Sequence, residues 1–261
     1  MMHVKTPAVA GLFYPGTEPE LRNTVDRLMQ TVSADSEVRP HALIAPHAGY
    51  QYSGPIAANA YASLRPWAAE IRHVAVLAPS HRVPFRGIAL SNADAFQTPL
   101  GAIPVDTERV KSLAALPHVG YLDAAFAEEH ALEVQLPFLQ RVLDDFSLIP
   151  LIVGDAEGED VAQVIETLVA DDILIVVSSD LSHYHGYAEA QRRDANTTGM
   201  IEAMQADDIG PYDACGAYPI RGLLKAAQHH GWHVKTLDLR NSGDTAGDKS
   251  RVVGYGAYEF Y

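Results

Sequence analysis

The chain has 261 residues, 48% of them hydrophobic, and a formal net charge of −14 from 33 acidic and 19 basic side chains. Enough apolar material is present for a sizeable core, which excludes a disordered polymer. The acidic field disfavours nucleic acid and anionic membrane surfaces as partners. One cysteine, Cys215, rules out an internal disulfide. No apolar run approaches the roughly 20 residues that span a bilayer. The opening stretch MMHVKTPAVAGLFYPG is too short and too proline-broken for a signal peptide, so a cytoplasmic location is expected.

In chain order, the first strong signal is the aliphatic run HALIAP (41–46), which ends at His47 and leads to a helical pattern, GPIAANAYASL (54–64). A second run, HVAVLAP (73–79), ends at Ser80 and His81. Gly/Pro punctuation in 87–106 predicts an antiparallel hairpin or insertion. EEHALEVQLPFLQRVL (128–143) predicts a helix interrupted near Pro137. A third run, SLIPLIVGD (147–155), precedes the helical stretch 158–170, and a fourth, DILIVVSS (172–179), leads through Asp180 and His183 to a helix over 187–204. DACGAYPIRGLLKAAQ (213–228) reads as a turn and helix, and RVVGYGAYEFY (251–261) as a closing strand. Continuous rather than alternating apolar runs predict strands buried on both faces, as in a parallel sheet, and their alternation with helices predicts right-handed βαβ units. The expectation is one α/β domain over residues 1–261, without repeats or a linker.

Open α/β sheets bind ligands beyond the carboxyl ends of their strands. His47, His81, Asp180 and His183 each follow such an end, so four turns are expected to deliver polar groups to one sheet edge. Of the 12 histidines, His47 and His81 read as a pair of metal ligands. Cys215 precedes a helix, where a thiolate is stabilised, and is the third candidate. Two imidazoles and a thiolate suit zinc, iron or copper, and spacing does not choose among them. Asp180, three residues before His183, could orient that imidazole for acid/base work or simply cap the following helix. His130 and Glu133 share a helix face and offer a substrate or supporting contact. Tyr50 and Tyr52 could stack on an aromatic substrate or pack the loop. GDTAGDKS (243–250) fails as a phosphate-binding loop because the spacing is wrong and a strand, not a helix, follows.

Seven stretches, PAVAGLFYP, APHAGYQYSG, APSHRVPF, EEHALEVQLPFL, SSDLSHY, DACGAYPI and NSGDTAGDKSRVVGYGAY, occur in the order found in Memo-like proteins. The chain resembles that family from about residue 7 to its C-terminus; bacterial and archaeal members are also called AmmeMemoRadiSam system protein B. The resemblance implies a three-layer α/β domain with a mostly parallel or mixed central sheet flanked by helices, similar to class III extradiol ring-cleaving dioxygenases. It implies His47, His81 and Cys215 as metal-site residues, with Asp180 and His183 as the remaining pocket pair and His183 as acid/base. Fe(II) is the expected metal, with copper or zinc as alternatives, because a thiolate stands where those dioxygenases place a carboxylate. The implied function is a metal-dependent dioxygenase, an oxidoreductase, acting on a small aromatic substrate. Two alternatives stand beside it. One is a catalytically silent protein whose vestigial metal pocket docks a peptide or a partner such as a radical-SAM enzyme. The other is a metal-free Cys215–His183–Asp180 nucleophile enzyme.

Overall fold

The architecture comes from a computed structural model that describes residues 2–33 and 38–261. The chain opens with a two-residue strand β1 (Val4–Lys5) and helix α1 (Glu18–Gln30), whose buried residues Leu21, Val25 and Met29 recur at helical spacing. The first aliphatic run forms β2 (Ala42–Ala45), and α2 (Tyr50–Ala62) follows after a turn of four residues. The second run forms β3 (His73–Pro79), all but its first residue buried.

The segment predicted as a hairpin divides between two sheets. Its first part, β4 (Ile88–Leu90), pairs antiparallel with a central strand; only β5 (Ala95–Thr98) and β6 (Gly101–Pro104) make the hairpin, and β1 adds to β5 in parallel. After α3 (Thr107–Leu113) and β7 (Val119–Tyr121) come α4 (Ala124–Ala127), α5 (His130–Glu133) and α6 (Leu136–Val142). The break between α5 and α6 falls just before Pro137, which takes a place in the first turn of α6, where its missing N–H costs nothing. The third and fourth runs form β8 (Ser147–Val153) and β9 (Ile173–Ser178), separated by α7 (Gly158–Leu168). The chain ends with β10 (His183–His185), α8 (Tyr187–Glu202), α9 (Ala217–His230), β11 (Val234–Asn241) and β12 (Val252–Phe260).

The four aliphatic runs lie side by side in the order β2, β9, β3, β8, all parallel. Antiparallel β12 flanks β2, and antiparallel β4 flanks β8, so the nine-stranded sheet is mixed at its margins and parallel at its centre. Helices α1, α2 and α6 pack together, as do α7 and α9, and α9 also lies against β3 and β9. Every side chain of β2 and β9 is buried, as strands covered on both faces require. α1, β10 and β11 are elements beyond those expected from the sequence. Among the described residues no helix is long and apolar enough to cross a membrane.

Two features of this topology build the site. β9 is inserted between β2 and β3, so the turns after all three open side by side. On one edge of β12, β2 pairs with Tyr258–Phe260 while β10 pairs with Val252 and Val253. Because β2 and β12 run antiparallel, β10 occupies that edge beyond the carboxyl end of β2. His183 therefore arrives above the same end of the sheet as His47.

Candidate metal centre

Three imidazoles meet at this end. His47, His81 and His130 each offer a ring nitrogen, and the three nitrogens lie within 4.8 Å of one another. The ring centroids are 5.2 Å apart for His47 and His81, 5.3 Å for His47 and His130, and 4.8 Å for His81 and His130. Burial is graded across them. His47 is 1% exposed, while the side chains of His130 and His81 are 15% and 28% exposed, so the cluster opens to solvent on the His81 side.

Each ring is held from behind. His47 Nδ1 is 2.8 Å from Ser178 Oγ, at the end of β9. His81 Nδ1 donates to Glu129 Oε1 at 2.9 Å, and the His81 backbone N–H donates to the other oxygen of the same carboxylate at 2.6 Å. Glu129 also accepts from the Ala131 N–H and so caps α5, the short helix that begins with His130. These donors outweigh the penalty of burial and hold the Glu129 carboxyl below its ordinary range. On the other side of His130, the Phe13 ring packs 4.6 Å from it. The loop bearing Phe13 is anchored by buried Glu133, which accepts from the N–H groups of Ala8 and Val9 and from the Tyr14 hydroxyl.

Burial and crowding keep His47 and His130 neutral. Burial, and then the neighbouring His81, His130 and His183, push His47 well below the usual histidine range. Burial brings His130 down to about 4 against the opposing pull of Glu129. Neutral imidazole is the form that ligates a metal. The buried Nδ1 of His130 has no hydrogen-bond partner, although Glu129 Oε1 is 3.3 Å away. Three converging imidazole nitrogens suit a first-row transition metal.

The structure locates the other predicted residues with several differences. Cys215 lies beside the cluster, its sulfur 3.3 Å from His47 Nε2 and accepting from the Asp180 backbone N–H at 3.3 Å. The three nitrogens within 4.8 Å are all from imidazoles, however, and His130, read from the sequence only as a substrate or supporting residue, supplies the third. Burial, with the Asp180 charge adding to it, pushes the Cys215 thiol up, so without a cation it stays protonated. The pairing expected of Asp180 and His183 is replaced. Asp180 Oδ1 accepts from the His47 backbone N–H at 2.7 Å, and Ala48 contributes a second backbone N–H. The Asp180 carboxylate therefore shapes the turn that presents His47 and does not orient His183. Nor does it cap α8, whose N-cap is Gly186. Burial raises Asp180 to about 7. His183 is lowered by burial, against a hydrogen bond to the Leu181 backbone. With Cys215 facing His47 and Asp180 facing backbone, the Cys215–His183–Asp180 arrangement is not formed.

Of the two readings of Tyr50, substrate stacking and packing, the structure realises packing. The helix begins at this residue, so its side chain turns into the core, where the hydroxyl donates to the Val134 carbonyl at 2.7 Å and the ring packs 4.9 Å from Phe138. The aromatic ring at the mouth is instead Tyr184, which is 63% exposed. It stands 5.8 Å from the His183 ring, with the Arg251 guanidinium 5.1 Å from its own centroid. Tyr184 has φ +61°, and the β10–β12 register shifts around it. A bulge of this kind redirects a side chain, and apolar alternation in the sequence gives no sign of it. Ser178, Gln135 and Glu129, which brace the rings, were also missed: a buried serine, glutamine or glutamate in a helical or strand pattern has no signature of its own.

The model of the family described as Memo-like protein matches residues 5–259. A MEMO1 family protein of Aquifex aeolicus is 35% identical over 267 residues, covering 97% of this chain and 98% of that protein. Relatives carrying the same family name in Methanopyrus kandleri and Methanosarcina acetivorans are 32% and 35% identical, each over 98% of both chains. The crystal structure of an uncharacterized protein of Escherichia coli K12 superposes with a TM-score of 0.50 at 13% identity, over 83% of this chain and 99% of that one, which is a likeness of fold. Matched from end to end by the family model and by these relatives, the chain belongs to the Memo-like family.

Proposed function

We propose that this protein is a metal-dependent oxidoreductase that binds Fe(II) between His47, His81 and His130 and acts on a small aromatic substrate in the manner of an extradiol dioxygenase. The observation that carries this reading is the convergence of three imidazoles, two of them held through Nδ1. A carboxylate–histidine pair such as Glu129–His81 raises the basicity of the ligand and fixes its orientation. Bound Fe(II) would act as a Lewis acid on a phenolic oxygen and supply the redox chemistry for dioxygen. Cys215 stands ready as a further ligand, since a cation beside it reverses the forces that keep the thiol protonated.

The remaining steps belong to the protein. The exposed Tyr184 ring gives an aromatic substrate a face to stack on at the open side. His183, neutral because burial lowers it, is free to take a proton from a phenolic hydroxyl. Asp180 holds the His47 turn in place. Copper and zinc are the competing ions, and a thiolate beside the site favours them more than a carboxylate would.

The test is anaerobic loading of purified protein with Fe(II), followed by catechol and air. Ring cleavage is expected, with His183→Ala lowering turnover by about 100-fold or more while catechol binding persists. Tight catechol binding with no turnover under any metal would favour the silent binding protein instead.

A further inference from the structure

Ser178 Oγ is the meeting point of three buried groups. It lies 2.6 Å from the Ala131 carbonyl oxygen, 2.7 Å from Gln135 Nε2 and 2.8 Å from His47 Nδ1. The Gln135 amide is in turn 2.7 Å from the Tyr61 hydroxyl through Oε1, and its Nε2 lies 3.1 and 3.3 Å from the carbonyl oxygens of Pro46 and Ala45. Tyr61, Gln135 and Ser178 are fully buried, so water cannot substitute for a missing partner.

Donor and acceptor rules then fix every proton in the chain. A carbonyl only accepts, so the single hydroxyl hydrogen of Ser178 goes to Ala131. The amide of Gln135 must point its NH2 at the two carbonyls, because the flipped amide would set oxygen against oxygen twice. Its second hydrogen goes to Ser178, and its oxygen takes the Tyr61 hydrogen. Both lone pairs of Ser178 are then acceptors, one for Gln135 and one for His47. His47 Nδ1 therefore carries a proton, and the lone pair of its neutral ring sits on Nε2, the nitrogen facing the Cys215 sulfur. The opposite assignment, with Ser178 donating to Nδ1, would leave the Ala131 oxygen 2.6 Å from an acceptor with no hydrogen between them.

From this geometry we infer that Ser178, with Gln135 and Tyr61 behind it, is a positioning residue that fixes the tautomer of His47 and so aims its Nε2 lone pair into the metal centre. The inference rests on the metal-binding reading only for its consequence, since the tautomer is a property of the metal-free protein. The same hydroxyl donates to the carbonyl of Ala131, in the first turn of the short helix that begins with His130. One buried oxygen thus braces the His47 ring and ties down the first turn of α5, which begins with His130, while Glu129 serves His81. The supports differ in kind: a neutral hydroxyl behind His47, a carboxylate behind His81. His81 is accordingly the stronger donor of the two.

The experiment is long-range 15N–1H correlation NMR on the metal-free 15N-labelled protein, together with Zn(II) titration. Wild-type His47 should show protonated Nδ1 and unprotonated Nε2. In Ser178→Ala, His47 should populate both tautomers, His81 should keep its own, and Zn(II) should bind about 10–100-fold more weakly. Tyr61→Phe, which removes the donor pinning Gln135, should move both readouts in the same direction by a smaller amount. A wild-type spectrum with the proton on His47 Nε2 would overturn the inference, with no variant needed. So would a Ser178→Ala protein that keeps both the tautomer and the Zn(II) affinity. Wild-type protein that binds no Zn(II) would count against the metal reading, while the tautomer would still decide the relay.

Discussion

Asp180 and His130 lie in one site and titrate in opposite directions. Burial raises Asp180 to about 7, from an ordinary value of 3.8, although the His47 and Ala48 N–H groups favour its charge. Between those values the folded protein keeps a proton that the unfolded chain releases. The stability this contributes is complete below 3.8 and is lost as pH rises toward 7. His130 is held down to about 4, from 6.5, so the unfolded chain takes up a proton that the folded protein refuses, and stability is lost as pH falls. The two contributions oppose each other across pH 4 to 7. Asp180→Asn keeps an acceptor for the His47 N–H but removes the declining contribution. The metal-free variant should therefore gain stability more steeply with rising pH over this window, as read from urea midpoints. Parallel curves for the variant and the wild type would show that Asp180 ionises as it does in water.

At the scale of elements, the site depends on how closely α9 begins against the end of β9. Gly216, at the N-cap of α9, approaches so near that an added Cβ would lie 2.6 Å from Ser179 Cβ and 2.8 Å from the Ser178 carbonyl oxygen. Its φ of −90° is open to any residue, so the requirement is for space. The Gly216 N–H donates to Ser179 Oγ at 2.9 Å, and the preceding Cys215 N–H donates to the Asp180 carbonyl at 3.2 Å. This pair of contacts sets the Cys215 sulfur beside His47. Gly216→Ala must push the start of α9 away, at a cost of about 1–3 kcal/mol for overpacking. The expected outcome is a lower Tm together with faster alkylation of Cys215, which is only partly exposed in the wild type. Unchanged Tm and alkylation would mean that the α9–β9 contact yields without strain.

At the scale of the whole molecule, the apolar runs at 42–45, 73–79, 147–153 and 173–178 give a parallel sheet because each is buried on both faces, and that much was legible in the sequence. The order of the strands was not. Nothing in the runs says that β9 enters between β2 and β3, yet this insertion brings the turns after Ala45, Pro79 and Ser178 together. His47 and His81 could be picked out because a histidine just past a buried strand has no core role. His130 was harder, since a histidine on a short helix resembles a surface residue until α5 is seen to be capped by Glu129 and packed under Phe13. The Asp180 carboxylate was assigned to His183 on proximity in sequence, but the chain folds back and the nearer donors are backbone N–H groups from the β2 turn. Sequence neighbours and spatial neighbours part company wherever a site is assembled from several strand ends.

The central claim is that three imidazoles from separate turns share one cation. Anomalous X-ray scattering, recorded across the iron, copper and zinc edges on crystals grown without added metal, tests it most directly. The account predicts a single peak of one of these elements between the rings of His47, His81 and His130, close to the Cys215 sulfur. Metal located elsewhere on the protein, or a site that stays dark even after soaking in each of the three ions, would contradict it.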